Sequence, residues 1–311
     1  MKKIISLFVI VTMVISCMAL TANAAEEEVS VSSVAQFVYD SGIVNKLTAD
    51  INESTYLLLE DGNNLVVDLN GHKWTSSDSV LRVAGGSCIA KVYDSSAAKT
   101  GAIISTSNDA INVSNGELSL ENITVKGGDG NMDAVIVEGG KVTITNCTLS
   151  AGKAGINADN ASEAAGVAAD ILVVGGKFAS YANPDARNCA IELRRSGANG
   201  PKITLTGAIA FENAKIIAQD TYKKTIAEGI VAGADATVAF GAESTNNLGT
   251  SYTYKITEIN YTYSGTGEVP EAPSTPDTPS NPETGDSFVV AVVTVAMIAL
   301  AGVVVSKKVR A

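Results

Sequence analysis

Residues Ala110 to Gly128 (AINVSNGELSLENITVKGG) and Ala134 to Gly152 (AVIVEGGKVTITNCTLSAG) are equal in length, start 24 residues apart and share one pattern. Each runs Ala, apolar, x, Val, x, x, Gly, x, apolar, x, apolar, x, Asn, x, Thr, apolar, x, x, Gly. Apolar residues alternate with period two inside each unit, the spacing of a strand that buries one face. A fixed period in the twenties, with Gly or Asn between strands, points to stacked coils, because one such unit cannot bury its apolar face alone.

The same template extends in both directions. Tyr56 to Gly71, Val80 to Asp94 and Ala190 to Gly207 fit it, and Ile171 to Ser180 fits its second half. About six coils are expected, enough for one continuous core. Aligned, the units bring Asp94, Asn122, Asn146, Gly175 and Gly207 into one column. These residue types enter the left-handed backbone region at least cost, so the column reads as one turn repeated from coil to coil. Asn122 and Asn146 would stack there, each amide within reach of the next. Their N-x-T triplets serve as turn chemistry or, less simply, as glycosylation acceptors.

Coil length, the Gly-x-x-apolar-x-apolar-x-Asn rhythm and the segment VVDLNGHKW resemble right-handed parallel β-helix proteins of the pectate lyase-like type, as found on Gram-positive surfaces. The resemblance covers Ile51 to Phe211. It implies an all-β fold, a single-stranded right-handed parallel β-helix capped at both ends, but no particular activity, since sites are grafted onto folds.

Outside the repeats the chain divides by composition. Residues 1–24 carry Lys2 and Lys3, an apolar core from Ile4 to Ile15 and Ala22-Asn23-Ala24, as in a cleaved secretory signal. Val14-Ile15-Ser16-Cys17 also resembles a lipobox, which would place a lipid on Cys17. Residues 25–50 form the N-terminal cap, where Val34, Phe37 and Val38 follow Ser32 or Ser33 at helical spacing; a short lid helix or a plain loop fits equally. Residues 51–211 are the β-helix. Residues 212–265 hold one irregular coil and cap strands in which Tyr252, Tyr254, Ile256, Ile259, Tyr261 and Tyr263 alternate. Those rings either close the core or line a sugar-binding face.

In residues 266–280 and just beyond, Pro270, Pro273, Pro276, Pro279 and Pro282 recur every third residue. That is the turn of polyproline II, so this is a solvated stalk about 40 Å long. Residues 281–311 open with Asn281, Pro282, Glu283, Thr284 and Gly285, continue through an uncharged apolar stretch at 288–305 and end on Lys307, Lys308 and Arg310. The stretch suffices for a transmembrane helix with its basic end in the cytoplasm. The three-part order resembles the wall-sorting signal of sortase substrates, with Asn281 where the commonest form has Leu. By that resemblance a sortase would cut between Thr284 and Gly285 and pass the Thr284 carbonyl to a peptidoglycan amine. A plain single-span membrane anchor is the alternative.

Charge and cysteine usage narrow the partners. The net charge is −11; without residues 1–24 and 285–311, the parts expected to be removed, the body has 17 Lys and Arg against 32 Asp and Glu. Such a body repels nucleic acid. Beyond Cys17 remain Cys88, Cys147 and Cys189, an odd number without a CxxC pair, so buried thiols are expected rather than disulfides or zinc.

Candidate chemistry on the solenoid is thin. The strands AINVS, AVIVE and IELRR turn Asn112 and Ser114, Ile136 and Glu138, and Glu192 and Arg194 outward, with Arg82 and Glu60 in the same columns. A lyase or hydrolase groove needs clustered carboxylates, a pair about 5–10 Å apart for hydrolysis. These acids are separated by Ile, Asn and Ser, leaving Glu192 and Arg194, with Asp129 and Asp133, as catalytic candidates. Asp129, Asn131 and Asp133 have the spacing of a calcium loop, although Ala134 and Gly140 stand where an EF-hand has Gly and its distant Glu. A polar turn is the simpler assignment. His72, the single histidine, has no visible Ser, Cys or metal partner and is expected to be structural.

Two functions are expected on these grounds. The first is a wall-anchored surface module for binding, adhesion or support, with host glycans or surfaces as ligands. The second is a polysaccharide lyase or glycoside hydrolase held at the wall. An aromatic content of 5% argues against a tight sugar groove in either case.

Overall fold

Alternating apolar residues make strands, and each strand pairs in parallel with its counterpart one coil later. A computed structural model describes residues 27–159, 167–180, 189–194, 200–212, 215–220, 229–247 and 253–265. The chain divides into two units, Met1–Pro273 and Ser274–Ala311, and the second lies outside the described residues. So do the signal segment, the stalk, the sorting pentapeptide and the apolar stretch at 288–305. Among the described residues no helix is long and apolar enough to cross a membrane.

Twenty-two strands, numbered in chain order, lie among the described residues, starting with β1 (Glu27–Val31). They form a parallel β-solenoid of about six coils with three ladders. The first ladder joins β2 (Ile43–Leu47), β5 (Asn64–Asp68), β8 (Ile89–Tyr93), β11 (Glu117–Glu121), β14 (Gly140–Ala151), β16 (Ala169–Ser180), β18 (Lys202–Glu212) and β20 (Ile230–Ala232). The second joins β3 (Ile51–Glu53), β6 (Lys73–Ser76), β9 (Ala102–Ser105) and β12 (Thr124–Lys126), then the far halves of β14, β16 and β18. The third joins β4 (Leu57–Leu59), β7 (Leu81–Val83), β10 (Ile111–Val113), β13 (Asp133–Val137), β15 (Ala154–Asp159), β17 (Cys189–Arg194) and β19 (Lys215–Asp220).

Register keeps like residues in rows. Leu65, Ala90, Leu118, Val142, Ile171 and Ile203 follow one another along the first ladder, all but sealed from solvent. Burying a Leu, Ile or Val contributes about 1.5–3 kcal/mol, and a one-residue slip would expose the whole row. This row and its neighbours supply the continuous core expected from the repeat. The ladder also outruns 51–211, opening at Ile43 and reaching Ala232.

The repeated turn sits where the column of Asn and Gly placed it. Asn122, Asn146, Gly175 and Gly207 have φ of 55°, 50°, 67° and 71°. Asp94 shares the column without a left-handed backbone. Its buried carboxylate instead accepts from the N–H groups of Gly71 (2.9 Å), Ser96 (2.8 Å) and Gly101 (2.6 Å). The Asn122 amide donates to Glu121 (3.3 Å). Gly116 and Gly140, matched in the twin units, also have positive φ, and a Cβ on Gly140 would lie 2.4 Å from the Gly116 carbonyl oxygen.

Both ends are closed. At the N-terminal end β1 pairs with β2, and Val34–Gln36 form a single 3₁₀ turn, shorter than the lid helix that the spacing allowed. Phe37 follows it and meets Trp74 edge-on, ring centroids 5.2 Å apart. At the other end β21 (Ala236–Asn247) and β22 (Thr253–Tyr263) are antiparallel, and β22 pairs with β19. Tyr261 packs on Phe211, which stacks on Phe178, and the Tyr261 hydroxyl donates to the Gly207 carbonyl at 2.6 Å. For Tyr261 this is core closure; Tyr252 and the side chain of Tyr254 lie outside the described positions.

Cys88 and Cys147 are buried free thiols, and burial pushes Cys147 up to about 12. The Cys189 side chain lies outside the described positions.

Candidate functional site

On the third ladder the outward column runs Leu58, Arg82, Asn112, Ile136, Asn157 and Glu192. Alternation explains the column: Ile111 and Val113, Ile156 and Ala158, Ile191 and Leu193 all turn into the core around it. The column is open at one end, where Leu58 is 40% exposed, and closed at the other, where Asn157 and Glu192 are buried.

At the closed end lies a cluster of charges. Lys153, at the turn before β15, is buried, with its ammonium 2.9 Å from Asp133 Oδ2 and 2.8 Å from Glu192 Oε2. Asn157 Nδ2 donates to the same Asp133 oxygen at 2.7 Å. The Asp133 backbone N–H donates to Asp109 Oδ1 at 2.7 Å, and Asp109 lies one repeat earlier at the matching position. Three successive coils thus contribute Asp133, then Lys153 with Asn157, then Glu192.

Burial dominates the electrostatics. It pushes the Asp133 carboxyl up to about 6, Lys153 pulls it down, and Glu192 adds to the rise. Burial alone would lower the Lys153 ammonium, but Glu192 and Asp133 outweigh it and hold it above its usual value. Asp109 is raised as well, again chiefly by burial. Asp133 Oδ1 and Asn157 Oδ1 are sealed from solvent and accept no hydrogen bond among the described residues. An acceptor left in that state costs about 1–3 kcal/mol, which marks the cluster as something other than a stabilising ion pair alone.

Toward the open end, Arg82 lies 3.7 Å from the Tyr56 ring centroid and 3.5 Å from Asp78 Oδ1, where Asn108 also donates at 2.7 Å. The Asp78 carboxyl is held low first by the Ser79 backbone N–H and then by Asn108 and Arg82. His72 sits 3.3 Å from Asp50, whose carboxyl also accepts from the Lys73 N–H at 3.0 Å.

The residues singled out in the sequence separate. Asp133 and Glu192 come together through Lys153. Arg194 ends β17 opposite Asp159, and its side chain lies outside the described positions. Asp129 and Asn131 are exposed at the turn, while the Asp133 carboxylate is engaged with Lys153 and Asn157. Among the described residues no three His, Cys, Asp or Glu side chains are grouped to hold a metal. Asn281, Pro282, Glu283, Thr284 and Gly285 lie outside the described residues.

Lys153, Asn157 and Asp109 were absent from the sequence candidates. Aligning AGINAD with DAVIVE would have put Asn157 in the outward column between Ile136 and Glu192. The segment's Ala and Gly residues gave it too weak an alternation to be recognised as a coil.

No family model, no curated protein and no solved structure matches the chain.

Proposed function

We propose that the protein is an exported surface module: a right-handed β-solenoid of the pectate lyase-like kind, joined to peptidoglycan through Thr284 and used for binding, adhesion or support. The observation that carries the choice of a module over an enzyme is the state of its best acids. Asp133 and Glu192 are both buried against Lys153, whereas a glycan-cleaving pair must reach substrate from an open groove. The exposed part of the same face, around Leu58, Arg82 and Tyr56, offers an aromatic ring and a guanidinium that is itself paired with Asp78.

Export and anchoring are supported by the order of segments in the sequence: a signal-like start, then the pentapeptide, apolar stretch and basic tail at 281–311. Two measurements test the proposal. Protein released from cells by a muralytic enzyme should yield a C-terminal peptide ending at Thr284 and carrying wall fragments; an intact tail through Ala311 in the membrane fraction would leave only a membrane anchor. The full chain should bind host glycans or matrix without cleaving polyuronides or mucin glycans. Turnover that disappears in Glu192→Gln would instead establish a wall-held lyase or hydrolase.

A further inference from the structure

We propose that Lys153 and Asp133 are joined by an amide bond between Nζ and Cγ, formed within the folded chain with Glu192 as the proton acceptor. The geometry is that of reactants already assembled. Lys153 Nζ is 2.9 Å from Asp133 Oδ2, an oxygen bonded to Cγ, and 2.8 Å from Glu192 Oε2. Holding reacting groups at contact with water excluded replaces a bimolecular encounter by an intramolecular step. All three side chains are at most 5% exposed, so water is kept from the amine and from the carboxyl.

The surroundings supply what each group needs. An amine attacks a carboxylic acid, not a carboxylate, and burial raises Asp133 to about 6, so that it carries a proton near neutrality for part of the time. The Lys153 ammonium must lose a proton before it attacks, and Glu192 is in contact to take it. Asn157 Nδ2, donating at 2.7 Å to Asp133 Oδ2, is placed to stabilise negative charge on that oxygen as the tetrahedral carbon forms.

The step balances without an external reagent. The Lys153 ammonium passes one proton to the Glu192 carboxylate. The freed nitrogen lone pair forms the bond to Cγ of the protonated Asp133. Glu192 gives its proton to the departing hydroxyl and receives the second amine proton. The Cγ–O bond breaks, and one water leaves. The products are a secondary amide, water and a protonated Glu192, and nothing is oxidised or reduced.

The bond would link consecutive coils, since Lys153 precedes β15 and Asp133 opens β13, and these two strands are neighbours in the third ladder. It is independent of what the solenoid binds and of how it is anchored.

Tryptic mapping of the full chain, purified folded and held for a day near pH 6 before denaturation, tests it. Trypsin cuts after Lys126, Lys141, Lys153 and Lys177. The expected product is Gly127–Lys141 joined to Val142–Lys177, uncut at Lys153 and lighter by one water. Glu192→Gln should lose the linked peptide while its circular dichroism stays that of the parent, which separates lost chemistry from lost folding. Separate Gly127–Lys141 and Val142–Lys153 peptides from the folded parent would overturn the proposal. A linked peptide that persists in Glu192→Gln would remove Glu192 from the step and overturn the mechanism.

Discussion

Asn122 and Asn146 occupy the same position one coil apart and hold the same left-handed backbone, φ 55° and 50°. The column continues through Gly175 and Gly207, so the constraint comes from the turn and not from any one neighbour. A branched side chain there should cost about 1–2 kcal/mol, as the left-handed region does for ordinary residues. Asn122→Val is expected to lower the urea midpoint accordingly, and Asn122→Gly to leave it nearly unchanged. Equal losses in the two variants would mean that the Asn side chain, not the backbone, matters.

Two glycines with almost the same φ separate strain from crowding. A Cβ on Gly62, at φ 86°, would meet nothing within 4 Å, whereas one on Gly140, at φ 84°, would face the Gly116 carbonyl oxygen at 2.4 Å. Gly62→Ala should cost about 1 kcal/mol, the backbone cost alone. Gly140→Ala must also push two coils apart and should cost clearly more, read as a further drop in thermal midpoint.

Phe37 closes the N-terminal end over Trp74, the single tryptophan. Phe37→Ala should destabilise by about 3–5 kcal/mol if the lid is part of the cooperative fold. It should also red-shift Trp74 fluorescence as that ring meets water. An unshifted spectrum would show that Trp74 is shielded without Phe37.

The Asp133 carboxyl gives a pH signature. Its folded value, about 6, exceeds the usual value near 3.9 in an unfolded chain. The folded state therefore keeps a proton that the unfolded state has lost. The stability this group contributes is complete below about pH 4 and falls as pH rises through about 6. Glu192→Gln, in which Asp133 remains an acid but loses the part of the rise that Glu192 adds, should show that fall in urea melts, displaced toward lower pH. Asp133→Asn should not, and neither should the parent once Asp133 has become an amide.

The fold was legible because its constraints repeat at short range. Leu118 and Leu120 alternate within one strand, and Asn122 marks the turn two residues later, so a single unit carries its own rule and the next unit repeats it. The buried cluster obeys no such rule. Val135 pairs with Ile156, 21 residues on, and Ile156 with Ile191, 35 residues on, so no window of constant period contains Asp133, Lys153 and Glu192 together. Outward position also misled: alternation places Glu192 outside the core correctly, but exposure depends on what lies over that face. Asp129, Asn131 and Asp133 share a calcium-loop spacing along the chain, which says nothing of the contacts that the Asp133 carboxylate makes with Lys153 and Asn157 of the following coil.

The parallel ladders have a mechanical consequence. Each coil hydrogen-bonds to the coils before and after it, so tension applied at a chain end loads the outermost coil first. The molecule should peel rather than rupture. From Ile111 to its partner Val135 is 24 residues of contour, and each coil released at that spacing pays out about 80 Å of extended chain. Under a steady pull such a fold acts as a shock absorber, lengthening by steps while the coils still wound keep their grip.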